Sequence, residues 1–88
     1  MDLNADYKML INGALVDSDQ HIDVVNPATG EPFAQAPDCS AAQLDQAVAA
    51  ARNAFPGWRA TPIEERAALL IKCADAIAPL AEDIGRLF

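Results

Sequence analysis

The sequence predicts an α+β fragment: β-hairpins at the amino-terminal end, followed by two or three helices. Three observations carry this. Turn residues and β-branched residues crowd the chain up to Pro37. From Ser40 onward apolar residues recur at helical spacing behind capping signals. The apolar stripe of the last helices is still open when the sequence reaches Phe88. The predicted organisation is therefore a frayed polar start over 1–8, a hairpin region over 9–37 and a helical region over 40–88, within one segment spanning 1–88.

The first hairpin is Tyr7-Lys8-Met9-Leu10-Ile11, Asn12-Gly13, Ala14-Leu15-Val16. Asn-Gly between short apolar runs suits a two-residue turn whose residues both need positive φ. Asp17-Ser18-Asp19 reads as a polar connection. His21–Val25 then reads as a strand, stopped by Asn26-Pro27-Ala28-Thr29-Gly30. Phe33–Ala36 returns as a second strand, limited by Pro32 and Pro37, which suggests an edge position.

The first helix starts at a capping box, Ser40 with Gln43, and Cys39 is placed to staple onto Leu44. Its apolar face is Leu44, Val48, Ala51 and Phe55 with Ala47 and Ala54, and Pro56-Gly57 should end it. The second helix repeats the grammar, with Thr61 as cap, Pro62 at the first helical position and Glu64 closing the box. Ile63, Ala67, Leu70, Ala74, Ile77, Ala81, Ile84 and Phe88 form its stripe. Pro79 should kink the helix or restart it after Ala78. Trp58 reads as a plug fixing the angle between the two helices. A stripe open at the last residue predicts that the chain is the front of a longer one, cut by design or by proteolysis.

Composition narrows the function classes. The 88 residues carry a net charge of −7, with only six Lys and Arg, scattered along the chain. Binding of nucleic acid or of anionic membranes rests on basic residues neutralising phosphate, so neither is an expected partner. No stretch approaches the roughly 20 apolar residues of a membrane span, and no cationic leader precedes an apolar run. Two cysteines do not make a secreted disulfide framework, which favours a reducing cytoplasmic setting.

Candidate chemistry is sparse. Cys39 precedes a helix start, where a thiol could be activated, but the sole histidine, His21, stands in no telling relation to it. The plainer readings are Cys39 as staple, Cys73 as a small buried hydrophobe and His21 as a solvated strand-end residue. Glu64 and Glu65 point about 100° apart on a helix and share no site. Gly30 lies in a turn that lacks the pattern of a phosphate loop. No residue of the chain is assigned a catalytic or cofactor-binding role.

The order Ile11-Asn12-Gly13, Val25-Asn26-Pro27-Ala28-Thr29-Gly30-Glu31, Ala47-Val48-Ala49-Ala50-Ala51 leading to Ala54-Phe55 and Trp58, Glu65-Arg66, then Leu70 with Ala74-Asp75, resembles the amino-terminal part of the NAD(P)-dependent aldehyde dehydrogenase superfamily. The resemblance implies a parent enzyme of α/β class with a Rossmann-like coenzyme domain, a catalytic domain and an oligomerisation arm. It implies oxidation of an aldehyde to an acid, or to a thioester in some branches. A cysteine thiolate attacks the carbonyl, hydride passes to NAD or NADP, and a glutamate activates water. The motifs for these steps match nothing in this chain, and neither Cys39 nor Cys73 has the nucleophile's surroundings. The segment is thus expected to be inactive alone and structural in the parent, its helices covering part of the coenzyme domain. The implied partners are the rest of the parent and further copies of it, in a homo-oligomer. One site carries over in part: the backbone carbonyls of Val24 and Val25, as ligands of an incomplete monovalent-cation site. The rival reading is a small stand-alone helical interaction module. A third, a small thiol enzyme, requires an unusually reactive Cys39.

Overall fold

Asn12 and Gly13 hold φ of 51° and 76°, and from this turn the first sheet follows. Strands β1 (Met9–Ile11) and β2 (Ala14–Val16) pair antiparallel, Met9 with Val16 and Ile11 with Ala14. The two left-handed residues match the turn's twist to that of the strands, as Asn-Gly predicts. This is a computed structural model; it describes residues 5–87. Part of the polar start and Phe88, the end of the stripe, lie outside the described residues.

The second sheet pairs β3 (Gln20–Val25) with β4 (Pro32–Asp38), also antiparallel. A β-bulge falls between Val24 and Val25. The connecting turn is closed by its own residues. The Asn26 carbonyl accepts the N–H groups of Thr29 (3.3 Å) and Gly30 (2.8 Å), and Asn26 N–H donates to the Glu31 carbonyl (2.9 Å). Asn26 Oδ1 accepts Ala28 N–H at 2.9 Å, and Thr29 Oγ1 accepts Glu31 N–H at 3.3 Å. Gly30 takes φ 73°, which explains glycine at that place. The two prolines expected to limit β4 instead lie within it, Pro37 opposite His21 and Pro32 opposite Val25. In a two-stranded sheet each strand has an open edge, and a proline there costs no ladder bond.

Helix α1 (Ala41–Ala60) opens on the expected reciprocal cap. Ser40 N–H donates to Gln43 Oε1 and Gln43 N–H donates to Ser40 Oγ, both at 3.1 Å. The helix does not end at Pro56-Gly57. Pro56 forfeits one backbone hydrogen bond, yet the helix runs on to Ala60. Thr61 then closes it: its N–H and its Oγ1 both reach the Gly57 carbonyl, at 3.1 and 3.0 Å. Thr61 therefore serves the end of α1, not the start of the next helix. Helix α2 (Ile63–Ile77) has Pro62 at its N-cap and no side-chain cap, so the box with Glu64 does not form. The Pro62 carbonyl accepts Glu65 and Arg66 N–H at 3.1 Å instead. The interruption expected at Pro79 is a 3₁₀ turn over Ala78–Leu80, after which α3 (Ala81–Leu87) resumes.

The chain divides at Phe55/Pro56 into two units. In the unit ending at Phe55, the end of β1 and its turn lie near the alanine side of α1. Leu10, Ile11, Asn12 and Gly13 line a shallow cleft with Ala47, Ala50, Ala51 and Ala54. Of the apolar face expected for this helix, Ala47, Ala51 and Ala54 line that cleft, whereas the large members are open: Leu44 and Phe55 are each 58% exposed. Small alanines admit the hairpin backbone more closely than large side chains would. With Leu44 exposed, a staple to Cys39 buries little. In the unit beginning at Pro56, α2, the 3₁₀ turn and α3 follow one another. Cys73 is exposed there, not buried. Trp58 is a residue of α1 itself, exposed rather than a plug, because the helix continues past it. Among the described residues none is buried.

The cap assignments have a measurable consequence. Ser40→Ala should cost about 1 kcal/mol of stability in urea unfolding. Thr61→Ala, which removes one hydroxyl bond at a helix end while its N–H bonds persist, should cost clearly less. Equal losses would contradict the assignment of Thr61 to the end of α1.

Candidate functional site

The polar connection between β2 and β3 gathers side chains from several elements. Asp17 Oδ1 accepts Ser18 N–H at 2.8 Å and His21 Nε2 at 2.9 Å. Its Oδ2 lies 3.3 Å from Lys8 Nζ, which also donates to Asp6 Oδ2 at 2.6 Å. The Asp17 carbonyl accepts Gln43 Nε2 at 2.7 Å. Ser18 Oγ donates to the Asp38 carbonyl at the end of β4 and accepts Gln20 N–H at 3.3 Å. Two residues thus join the first hairpin, the second sheet and the first turn of α1.

Charge follows from these bonds. The Ser18 amide, the His21 ring and Lys8 hold the Asp17 carboxyl below its ordinary value of 3.8. The bond to Asp6, with Asp17 beside it, raises the Lys8 ammonium above 10.5 against some desolvation. Beside the junction lies a cleft of about 560 Å³, lined by Tyr7, Asp17, His21, Asp23, Phe33 and Gln35. Gln35 Nε2 donates to Asp23 Oδ1 at 2.9 Å, across the β3–β4 ladder.

The chemistry this arrangement can perform is limited. His21 is engaged with Asp17 and with neither thiol. The Ser18 hydroxyl is committed to a backbone carbonyl, so no hydroxyl stands activated beside the imidazole. Cys39 and Cys73 are free thiols, and the Cys39 Sγ lies 3.5 Å from the neighbouring Ser40 carbonyl. Among the described residues no group of three or more His, Cys, Asp and Glu is disposed to hold a metal ion. No helix among them is long and apolar enough to cross a membrane.

The carbonyls of Val24 and Val25 lie at the β-bulge, with Val24 opposite Ala34 and Val25 opposite Pro32. The residue left without a partner there is Phe33 of β4, and Val24 and Val25 both keep partners in the register. Hard cations take about six or more oxygens, so two carbonyls fit part of such a shell.

Sequence reasoning placed Asn26–Glu31 and the Ser40–Gln43 box, and it read Asp17-Ser18-Asp19 only as a connection. The overlooked signal is Gln43. Its carbonyl oxygen satisfies the cap, and the amide nitrogen that remains needs an acceptor of its own.

The model of the aldehyde dehydrogenase family matches residues 15–88. The chain is 38% identical over 82 residues to a methylmalonate-semialdehyde/malonate-semialdehyde dehydrogenase of Rattus norvegicus, covering 91% of this chain and 15% of that protein. It is 45% identical over 64 residues to malonate-semialdehyde dehydrogenase 2 of Geobacillus kaustophilus, covering 73% and 13%. A glutarate-semialdehyde dehydrogenase of Pseudomonas aeruginosa is 42% identical over 79 residues, covering 88% and 16%. The chain thus spans about a sixth of the length of these relatives. No solved structure matches.

Acid should loosen the junction. A carboxyl whose folded pKa is depressed adds stability above its unfolded value, and that stability is lost as pH falls through the lower folded value. Amide protection in β1–β2 should therefore drop below about pH 3.8. Asp17→Asn should lack that step in hydrogen exchange followed against pH; an unchanged step would assign it to another carboxyl.

Proposed function

The chain belongs to the aldehyde dehydrogenase family, and we propose that it is the amino-terminal segment of a larger enzyme that oxidises an aldehyde with NAD(P)+. The observation that carries this is the family match over residues 15–88, together with relatives more than five times as long. Those relatives are named as dehydrogenases of malonate, methylmalonate and glutarate semialdehydes. The substrate class we assign to the parent is accordingly a short aldehyde bearing a carboxylate at its other end. The product is the acid or, as in an acylating relative, a thioester.

The nicotinamide coenzyme supplies hydride acceptance when bound to the parent. The residues of this segment supply position. The Asp17–Ser18 junction fixes the hairpin to the start of α1, and the Asn26–Glu31 turn follows directly on Val24 and Val25. We assign those two carbonyls to a monovalent-cation shell that other parts of the parent complete. His21, Cys39 and Cys73 take no part in the reaction: the imidazole is held by Asp17, and neither thiol has a base. The parent works as a cytoplasmic homo-oligomer on this reading.

One observation favours a second reading, a stand-alone interaction module. The apolar side chains of α2 are open to solvent, as a docking face would be.

Turnover by the full-length gene product separates the two. With malonate semialdehyde and NAD+ or NADP+ it should form reduced coenzyme, and with propanal it should do so more slowly. The 88-residue chain alone should show no turnover and no calorimetric binding of NAD+. A gene product of 88 residues that turns over no aldehyde would favour the module, and micromolar NAD+ binding by the short chain would contradict the structural role.

A further inference from the structure

The asparagines of the chain are Asn4, Asn12, Asn26 and Asn53, and Asn4 lies outside the described residues. The fold treats the other three differently. Asn26 precedes Pro27, whose nitrogen carries no proton, and its Oδ1 already accepts the Ala28 N–H at 2.9 Å. Asn53 lies inside α1, where the Ala54 N–H is committed to the Ala50 carbonyl. Asn12 precedes glycine at the tip of the first hairpin, and both residues are exposed. Besides glycine it is the only residue with positive φ among the described residues, at 51°. The β1–β2 ladder ends at Ile11 opposite Ala14, which leaves the Gly13 N–H outside it. No atom beyond the chain neighbours lies within 4 Å of where a Cβ would stand on Gly13, so the backbone is open on that side.

We propose that Asn12 is a site of spontaneous deamidation, and that its isoaspartyl product unlocks the first hairpin. The Gly13 nitrogen loses its proton to water and bonds to Asn12 Cγ. The bond from Cγ to the side-chain nitrogen breaks, and that nitrogen takes up a proton and leaves as ammonia. The result is a cyclic succinimide joining the side chain to the Gly13 nitrogen. Water then opens the ring at one of its carbonyls. Opening at Cγ leaves an aspartyl residue at this position. Opening at the main-chain carbonyl leaves an isoaspartyl residue, with the chain running on through the side-chain carbons. In sum, an amide and water become a carboxylic acid and ammonia, and no oxidant or reductant is consumed.

The two products act differently on the fold. An aspartyl residue keeps the turn, since Asp-Gly takes the same backbone conformation as Asn-Gly. The isoaspartyl form inserts a methylene into the main chain between Ile11 and Ala14. A two-residue turn cannot absorb that length while Met9 stays paired with Val16. Both products also add a negative charge to a chain already at −7. The charge falls where Asn12 lines a cleft with Ala47, Ala50, Ala51 and Ala54. A carboxylate prefers water to an alanine surface, which favours a hairpin lifted from α1.

The inference goes beyond the catalytic reading and is tested without any substrate. The full-length gene product carrying this segment is kept folded for several weeks in mildly alkaline, heavy-oxygen water, then digested and mapped by mass spectrometry. Asn12 should lose its amide and take up solvent oxygen, in aspartyl and isoaspartyl peptides, while Asn26 and Asn53 keep theirs. In hydrogen exchange, the isoaspartyl fraction should lose protection over residues 9–16, and the Asn12→Asp variant should retain it. Asn12→Gly, whose Gly-Gly pair suits the same turn, should keep its hairpin protection unchanged on ageing. An Asn12 amide that survives in the folded protein would overturn the proposal. So would an amide lost from Asn53 as fast as from Asn12, since placement in the fold would then decide nothing. A hairpin still fully protected in the isoaspartyl fraction would overturn the claim that this product unlocks it.

Discussion

The arrangement of the amino-terminal unit depends on one polar junction. Asp17 and Ser18 reach Lys8, His21, the end of β4 and Gln43 through side chain and backbone together. Gln43 is the pivot. One end of its amide completes the cap of α1 and the other takes the Asp17 carbonyl, so the helix cannot start without also being tied to the strand connection. Exposed ion pairs are individually weak, of the order of 1 kcal/mol or less. What the junction supplies is geometry, since several bonds converge on two adjacent residues.

That reliance on hydrogen bonds follows from the absence of a core. No described residue is buried. The hairpin meets α1 through alanines, which contribute little apolar area, while the leucine, valine and phenylalanine of that helix face solvent. Small two-stranded sheets are marginal alone. The sheets and helices here therefore present surfaces suited to packing on something further. The family relatives, several times longer than this chain, provide such a context.

Local chemistry was readable in the sequence wherever a few adjacent residues decide the outcome. Asn12-Gly13 dictates its turn, Asn26–Glu31 closes on its own side chains, Ser40 and Gln43 cap reciprocally, and Pro79 breaks its helix. Reading failed where neighbours compete. Pro56-Gly57 looks like a stop, but a helix tolerates one lost bond when the flanking turns remain intact, and the stop passes to Thr61. Thr61-Pro62 looks like a start, yet the hydroxyl prefers the Gly57 carbonyl behind it. Periodicity put Ala47, Ala51 and Ala54 on one face with Leu44, Val48 and Phe55, but it could not show that the hairpin turn lies beside the alanines and leaves the large residues open. The junction was missed because its bonds span as many as 26 positions. The family resemblance needed only the order of short motifs, and it survives these local errors.

Hydrogen exchange across residues 5–55, in the wild type and in Gln43→Ala, tests the central structural claim most directly. If Gln43 joins the helix start to the strand connection, its loss should lower protection together in β1–β2 and in the first turn of α1, while the β3–β4 ladder keeps most of its own. Loss of protection confined to the first turn of α1 would reduce Gln43 to an ordinary helix cap and contradict the account.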